Sequence, residues 1–471
     1  MGKLTVIGES LMVATAAAGL AHQLGLRLDV SLLIGVVAGL AAWRPPPARS
    51  IPQPSVTTAN PSGPGLDLGR VVSAPRPAAS LQRQRLWLRL ADLDRHATVV
   101  GATGSGKTTT LARLMDSALD AGWPVLVVDA KGGRLANTCL QLGARHALEA
   151  RIWLPEHSAS WTYDVCSGSP TAVANRLVGA FEHGREGQVY RNLSQALVPL
   201  AVRSLHEAGL VCNLDSLRFS LDRAHLTGLA RRTPDPVVKS ELIAMLEDEL
   251  HKQALAGLTG RLRSLRYGVF GRWLLPSDAT LDPTASLSQP GITYFGLPAT
   301  AASEDVALVG RALIQHLKQA AYTALWAEPQ RPALLVLDEF ASLGEAVQLV
   351  DLLLQAREAR LAVVVSTQHL PREHALRSGL LGSGVLIVHQ VGSASEAREL
   401  SETLGTRTGA ELVRHIQMGP AGPLARRLVR PRLGYLVDPD NLSHLPTGQV
   451  AVAVRFGEQR LALVQVEPLS V

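Results

Sequence analysis

Cysteine, lysine, charged residues and aromatic residues are all scarce in this 471-residue sequence. The three cysteines, Cys139, Cys166 and Cys212, form no CxxC pair, which argues against a disulfide scaffold and predicts reduced, cytosolic thiols. Charged residues make up 18% of the chain and hydrophobic residues 46%, a composition that excludes an intrinsically disordered protein. The length and apolar content together predict two or three domains with at least one large core.

The basic residues are almost all arginines, with six lysines against 40 arginines, and the formal net charge is +6. A modest positive charge spread over a long chain is compatible with contact to a phosphate backbone or to anionic lipid. Charge alone therefore permits either partner and selects neither.

Two apolar segments lie near the amino terminus, over residues 4–21 and 30–43. The first is about 18 residues long, and the second reaches about 20 residues when counted from Leu24, so each could cross a hydrocarbon core of about 30 Å. We predict a transmembrane helical hairpin over residues 1–43, with a lipid bilayer as a partner.

The flanking charges of this hairpin predict that both of its ends are cytoplasmic. Lys3 precedes the first segment, and Arg44 and Arg49 follow the second, in keeping with the positive-inside tendency. Glu9 interrupts the first segment and the second is short, so a secretory signal peptide and a soluble amphipathic hairpin remain as alternatives.

A proline-rich stretch follows the hairpin. Nine prolines occur between residues 44 and 79 with little apolar periodicity, at positions 45, 46, 47, 52, 54, 61, 64, 75 and 77. This composition predicts an exposed, semi-extended linker over 44–85, ahead of a globular body that starts near Leu86.

The body alternates apolar, strand-like runs with helical stretches, which predicts an α/β fold with a mainly parallel sheet and crossover helices. Residues 171–275 break this rhythm, because leucine, alanine, arginine and glutamate recur at helical spacing. We predict an all-α inserted domain there with a small core of its own, between two parts of the α/β domain over 86–170 and 276–471. The apolar runs are 97–101, 125–130, 292–297, 333–339, 361–367 and 385–390.

One glycine-rich segment carries the strongest chemical signal. The stretch from Gly101 to Thr108 matches the phosphate-binding pattern GxxxxGK[ST], follows a strand and opens a helix. Glycines let backbone amides face a phosphate, Lys107 supplies a compact positive charge, and the Thr108 hydroxyl suits Mg²⁺. The predicted nucleotide-binding residues are Gly101, Ala102, Thr103, Gly104, Ser105, Gly106, Lys107, Thr108 and Thr109.

Two acids end the later apolar run LLVLDE, the pattern known as Walker B. Asp338 at the strand end is predicted to complete a magnesium site with Thr108, and Glu339 to orient and deprotonate the attacking water. ATP and Mg²⁺ are the predicted ligands. Gln368 ends another apolar run, where its amide could contact the γ-phosphate or the water, although a simple strand-end polar cap is an alternative.

Two further pairs of residues are weaker candidates. Asp129 and Lys131 close the strand after the phosphate-binding helix, and either a role beside the nucleotide or a plain ion pair fits them. Arg357 and Arg360 end the helix after Walker B, where a neighbouring subunit could receive one of them as an arginine finger, although such residues usually face water or the helix dipole.

The motifs GATGSGKTTT, VLVVDAKGG, LLVLDEFASLG, QAREARLAVVVSTQ and VDPDNLSHLPTGQVAV resemble those of the coupling ATPases of conjugation and type IV secretion, the TraG/TraD-like family, which is related to FtsK and HerA. The resemblance runs from about residue 86 to the carboxyl terminus. It implies a RecA-like P-loop domain with an all-α insertion, six subunits in a ring, and DNA as cargo. It also implies Lys107, Thr108, Asp338, Glu339 and Gln368 as site residues, with Arg357 as the finger.

The resemblance further implies relaxase or relaxosome partners, type IV secretion channel components and a bacterial inner-membrane location. The loop between the two apolar segments is short and the chain lacks a long acidic tail, two departures that bear on relaxosome recruitment. The expected function is a membrane-anchored, Mg²⁺-dependent ATPase that translocates DNA as a coupling protein. A FtsK/HerA-type DNA pump and an ATP-binding channel scaffold that recruits protein effectors are the alternatives.

Overall fold

The computed structural model describes residues 65–73, 85–155, 157–181, 188–297, 303–328, 330–339, 346–419, 422–456 and 459–469. The predicted transmembrane hairpin over 1–43 lies outside these residues. Within the described ranges, no helix combines the length and the apolar character that a bilayer span requires.

The strands of the described residues are numbered in chain order. They are β1 Gly65–Ser73, β2 Arg85–Arg89, β3 Ala97–Val100, β4 Val125–Asp129, β5 Ala150–Trp153, β6 Thr162–Tyr163, β7 Thr280–Leu281, β8 Ile292–Gly296, β9 Ala333–Asp338, β10 Leu361–Thr367, β11 Val385–Val388, β12 Thr406–Gly419, β13 Gly422–Tyr435, β14 Gln449–Val454 and β15 Arg460–Gln465.

The helices are numbered in the same way, and a short 3₁₀ helix spans Gly271–Leu274. They are α1 Leu90–Leu93, α2 Lys107–Asp120, α3 Arg134–Arg145, α4 Pro170–Ala180, α5 Gln188–Glu207, α6 Leu214–Ser220, α7 Arg223–Arg232, α8 Pro236–Glu247, α9 Glu249–Tyr267, α10 Pro283–Ser286, α11 Ser303–Leu325, α12 Ala346–Glu358, α13 His374–Leu381, α14 Ala394–Leu404 and α15 Pro439–Ser443.

A single 11-stranded sheet forms the centre of the body, in the order β2-β1-β15-β14-β11-β3-β10-β9-β4-β8-β5. The strands from β11 to β5 in this order pair in parallel, and the other four pair antiparallel. All six predicted apolar runs lie in the parallel part, so the predicted α/β fold with a mainly parallel sheet is confirmed. The additional parallel strand, β5, is short and only partly apolar.

The helix after the glycine-rich segment illustrates why the sequence folds in this way. Helix α2 buries Leu111, Leu114, Met115, Ala118 and Leu119 against the sheet, the apolar stripe that its spacing predicts. The chain leaves the helix through Gly122 at φ 74°, a left-handed conformation that glycine adopts without steric cost.

The predicted linker over 44–85 is wrong for residues 65–73. Residues 65–73 form β1, which is hydrogen-bonded on both sides, between β15 and β2. Leu66, Leu68 and Val71 are buried there and pack on the core beneath α2. The run Gly65–Ser73 contains no proline, so its backbone donors stay available for sheet pairing despite the prolines on either side.

The all-α region over 170–267 contains helices α4 to α9, but the prediction that it has a small core of its own is wrong. Its buried leucines belong to the same apolar cluster as Leu126, Leu335 and Val363 on one face of the sheet. Helix α4 makes this connection, because it packs on both α5 and α11. The insertion and the sheet therefore share one continuous core.

Candidate functional site

Four neighbouring parallel strands bring the predicted residues to one edge of the sheet. The register aligns Asp338 of β9 with Asp129 of β4 on one side and with Ser366 of β10 on the other. On β3, Val100 is aligned with Thr367, and the glycine-rich segment begins at the next residue. Carboxyl ends of parallel strands meet at one edge, which is where α/β proteins bind ligands.

The segment between β3 and α2 has the backbone of a phosphate-binding loop, or P-loop. Gly104 and Gly106 have φ values of 82° and 104°, which residues with a side chain rarely adopt. An added Cβ at Gly104 would have nothing within 4 Å, so this part of the loop is open. The unpaired amides at the start of α2 and the helix dipole together favour an anion here.

Lys107 is the first residue of α2 and is buried, with 8% of its surface exposed. Its Nζ donates hydrogen bonds to the carbonyl oxygens of Gly101 and Ala102 across the loop. Burial and the charge of Lys131 lower the pKa of Lys107, while Glu339 and Asp338 oppose this shift. The ammonium therefore lies inside the loop, and both predicted acids act on it electrostatically.

The other loop residues differ in exposure. Thr103 and Thr108 are exposed, whereas Ser105 is buried and its hydroxyl donates to the Ala102 carbonyl. Ala102 and Thr109 are half-buried. Thr108 thus offers its hydroxyl at the first turn of the helix, the position that the magnesium prediction requires.

Asp338 is buried with 7% exposure, and desolvation raises its pKa, with the charge of Asp129 adding to the shift and that of Lys131 opposing it. Asp129 is fully buried and accepts hydrogen bonds from the Tyr294 hydroxyl at 2.8 Å and from the Lys131 amide at 2.8 Å. A bound cation would relieve the repulsion between these two carboxylates. The donor set therefore fits a Mg²⁺ ion with a nucleotide phosphate.

Glu339 has a strained backbone, with φ at 54°. Its amide donates to the Ser366 carbonyl at 2.8 Å, which anchors the residue at the end of β9. The Lys131 Nζ lies 3.0 Å from Glu339 Oε2. A non-glycine residue in this conformation costs of order 1 to 3 kcal/mol and is typical of functional sites.

Gln368 contacts the P-loop directly, because the Thr103 hydroxyl donates to its Oε1 at 2.9 Å. The structure thus brings Gln368 together with the loop and with the end of β10. Gln368 is therefore the predicted residue whose side chain links the P-loop to β10, the strand that follows Walker B in the chain.

Replacement of Gln368 by alanine is expected to lower ATP turnover about 10-fold or more while leaving nucleotide affinity nearly unchanged, since a polar contact at the reacting phosphate acts mainly on the rate. Steady-state hydrolysis and fluorescent-nucleotide titration measure the two quantities. The matched control is Gln355→Ala on the exposed face of α12. Equal losses in both variants would contradict a role for Gln368.

His389 was not predicted, yet it holds the P-loop from behind. It is fully buried after β11, with Nδ1 3.0 Å from the Ser105 carbonyl oxygen and Nε2 3.0 Å from the Thr110 hydroxyl. Burial lowers its pKa to about 4, and the charge of Lys107 adds to the shift. The available signal was a polar residue ending an apolar strand, the same pattern that marked Gln368.

The pKa of His389 predicts a loss of stability in acid. The folded value of about 4 is below the ordinary 6.5, so only the unfolded chain takes up the proton between these two values. The contribution of the neutral ring is complete above pH 6.5 and is lost progressively down to about pH 4, a change of about 3 kcal/mol. The melting temperature of His389→Gln is therefore expected to fall less between pH 7 and 5 than that of the wild type.

The exposed His444 provides a control for that measurement. The substitution His444→Gln should leave the pH dependence of the melting temperature as it is in the wild type. A His389→Gln variant with the same pH dependence as the wild type would contradict the assignment of a neutral, buried ring.

Arg357 and Arg360 are not brought to the nucleotide edge of their own chain. Helix α12 returns to the start of β10, so Arg357 in its last turn lies at the opposite edge of the sheet, and both arginines are exposed. The charge of Arg357 acts on His96, which precedes β3. Seven residues of β10 separate the two edges by about 20 Å, so Arg357 does not reach the nucleotide edge of its own chain.

Fold and site together define a P-loop nucleoside triphosphatase. The family model described as "Helicase HerA-like C-terminal" matches residues 75–152, which include the whole P-loop. A comparison with curated proteins finds no match.

Solved structures with the same fold include a conjugative coupling protein and VirB4. Unbound TrwB, a bacterial conjugative coupling protein, is 19% identical with a TM-score of 0.57, over 82% of this chain and 87% of that chain. TrwB in complex with ADP and Mg²⁺ is 18% identical with a TM-score of 0.54, over 82% and 88%. VirB4 of Thermoanaerobacter pseudethanolicus is 12% identical with a TM-score of 0.53, over 88% and 98%.

These similarities show that the chain has the RecA-like P-loop fold of the conjugative coupling protein and of VirB4. The resemblance drawn from the motifs is thereby confirmed for the fold.

Proposed function

We propose that this protein is a membrane-anchored, Mg²⁺-dependent ATPase that translocates DNA as a coupling protein of conjugation or type IV secretion. The observation that carries the catalytic part is the meeting of Lys107, Asp338, Glu339 and Gln368 at one edge of the sheet. The DNA cargo is supported by the shared fold with a conjugative coupling protein and by the arginine-rich composition.

Each residue of the site has a proposed role that matches its position. The amides of the P-loop and the Lys107 ammonium bind the β- and γ-phosphates. Thr108 and Asp338 hold Mg²⁺, which neutralises phosphate charge when it is bound. Glu339 orients the water and takes its proton, and Gln368 contacts the γ-phosphate or the water.

Lys131 has a proposed part in this sequence of events. Its Nζ lies 3.0 Å from Glu339 Oε2, and this ion pair fixes the direction of the carboxylate. Lys131 is therefore proposed as a positioning residue for the base.

The oligomeric part of the proposal is a homo-oligomeric ring of six subunits in which Arg357 of one subunit stabilises the phosphate charge that develops in the next. Its exposure and its distance from the nucleotide edge of its own chain support action across a subunit boundary. Residues 1–43 would anchor the ring in the bacterial inner membrane, and the relaxase and secretion channel components are proposed as partners.

A second candidate function is a double-stranded DNA pump of the FtsK/HerA type in segregation, repair or defence. The match of residues 75–152 to the HerA-like model favours it. The two candidates share the nucleotide site and differ in the DNA and the partners that they use.

The test is the steady-state ATPase rate of the full chain at low salt, with no DNA, with single-stranded DNA and with double-stranded DNA. Stimulation by DNA supports a nucleic-acid motor, and stimulation by duplex alone favours the pump. A rate indifferent to both forms would overturn the DNA cargo, and nucleotide-dependent oligomers with negligible turnover would favour a scaffold.

A further inference from the structure

A long antiparallel ribbon, formed by β12 and β13, concentrates the positive charge of this protein. We call Thr406–Gly419 together with Gly422–Tyr435 the basic ribbon. It carries six arginines and one glutamate, a net charge of +5 in a chain whose total is +6. The arginines are Arg407, Arg414, Arg426, Arg427, Arg430 and Arg432.

The register of the ribbon aligns basic residues of its two strands with one another. Arg414 is aligned with Arg427, and His415 with Arg426, while the carboxylate residue Glu411 is aligned with Arg430. Like charges directly opposite each other in an antiparallel pair are destabilising. An arrangement that is unfavourable in isolation becomes favourable when a polyanion neutralises it, which points to a binding surface.

The dimensions of the ribbon suit a nucleic acid. Fourteen residues in each strand span about 45 Å, more than one turn of B-form DNA at about 34 Å. The major groove, about 12 Å wide, admits a two-stranded β-ribbon. The arginines are distributed along this length, from Arg407 near the base to Arg426 near the turn.

The base of the ribbon is exposed on both strands. Within the described residues, β12 and β13 pair with each other and are separate from the 11-stranded sheet. Thr406, Arg407 and Thr408 are exposed, and Leu433 on the other strand is 70% exposed. The ribbon is therefore accessible to a large partner where it leaves the body.

Helix α15 and a few hydrogen bonds connect the base of the ribbon to the P-loop. The Leu436 amide donates to the Gly405 carbonyl at 2.9 Å and closes the base. Helix α15 follows directly, and the Ser443 carbonyl at its end accepts a 3.1 Å hydrogen bond from Gln390 Nε2. The Gln390 carbonyl in turn accepts from the amide of Ala102 in the P-loop, at 2.7 Å.

We propose that the basic ribbon binds the phosphate backbone of DNA without reading its sequence, and that its base transmits this contact to the P-loop. This inference rests on the proposed function and names the element that holds the cargo. All six cations are arginines, whose planar guanidinium groups bind phosphate in a bidentate manner.

The experiment compares two fourfold arginine-to-glutamine variants of the full chain. The ribbon variant combines Arg414→Gln, Arg426→Gln, Arg427→Gln and Arg432→Gln. The control variant makes the same change of charge at exposed arginines elsewhere, with Arg231→Gln, Arg232→Gln, Arg372→Gln and Arg398→Gln. Fluorescence anisotropy with a labelled 40-nucleotide DNA, single- and double-stranded, is measured across a salt series.

The ribbon variant is expected to bind DNA about 10-fold or more weakly. The slope of log Kd against the logarithm of the salt concentration should fall by about 3 to 4, because four phosphate contacts are lost. It should also lose DNA stimulation of its ATPase while its basal rate is unchanged, which shows that the variant is folded. A second ribbon variant with lysine at the same four positions keeps the charge and should retain most of the salt dependence.

Three results would overturn the inference. Ribbon and control variants that bind DNA equally would place the DNA contact elsewhere and leave the proposed function standing. A ribbon variant that keeps DNA binding but loses binding to vesicles of 30% phosphatidylglycerol in phosphatidylcholine would assign the ribbon to the membrane. A wild type that binds no DNA at low salt would remove both the ribbon's role and the proposed cargo.

Discussion

The variants Lys107→Ala and Glu339→Gln are each expected to reduce ATP turnover at least 100-fold. The two losses should have different origins. Lys107 lies inside the P-loop, so its removal takes away the buried cation that binds the phosphates and should also weaken nucleotide affinity. Glu339 acts on the water, so its amide analogue should bind nucleotide as the wild type does and fail only in the chemical step, by about 10² to 10⁴.

The distinction is measured by combining single-turnover hydrolysis with titration of a fluorescent ATP analogue. The controls are Lys239→Ala and Glu241→Gln, which make the same chemical changes at exposed positions on α8. A Glu339→Gln variant that hydrolyses ATP at the wild-type rate would rule out the assigned base. A Lys107→Ala variant with unchanged affinity and turnover would rule out the P-loop assignment.

The variant Gly101→Ala is expected to abolish nucleotide binding and to lower the melting temperature, whereas Gly104→Ala should be much milder. A Cβ on Gly101 would lie 2.4 Å from the Cβ of His389 and 2.9 Å from the Ser105 hydroxyl oxygen, so the loop could not keep its position. A Cβ on Gly104 meets nothing within 4 Å, and only the positive φ of 82° opposes it, at about 1 kcal/mol.

This pair of glycines separates packing from backbone strain within one loop. Thermal melts with and without ATP report both effects, since a ligand that binds only the folded state raises the melting temperature. We expect ATP to stabilise Gly104→Ala but not Gly101→Ala. If ATP instead stabilised Gly101→Ala but not Gly104→Ala, His389 would not support the loop.

The parallel sheet and the catalytic edge were predictable because their signals are local. A continuous apolar run such as that of β9 or β10 indicates a buried parallel strand, and the polar residues that end it must lie at the carboxyl edge. The P-loop pattern fixes the start of α2 in the same way. The sequence alone therefore places Asp338, Glu339 and Lys107 at one edge of the sheet.

Only the tertiary structure revealed the roles of residues that act through long-range packing. His389 supports a loop 284 residues away in the chain by its bond to Ser105, and no local spacing encodes such a contact. The prolines around β1 made its segment resemble a linker. Its partner β15 lies almost 400 residues further along the chain, so no local pattern indicates the pairing. The pairing of strands so far apart in the chain depends on which buried faces come together in the folded protein.

The sequence by itself determined the strand runs, the P-loop, the acids of Walker B and the concentration of arginine. Only the tertiary structure decided that the insertion shares the core of the sheet, that Thr103 meets Gln368, and that the arginines between residues 407 and 432 lie on one ribbon that is linked to the P-loop through α15. The physical reason is the range of the interactions. Backbone periodicity and phosphate chemistry act over a few residues, whereas side-chain packing and strand register depend on partners far along the chain.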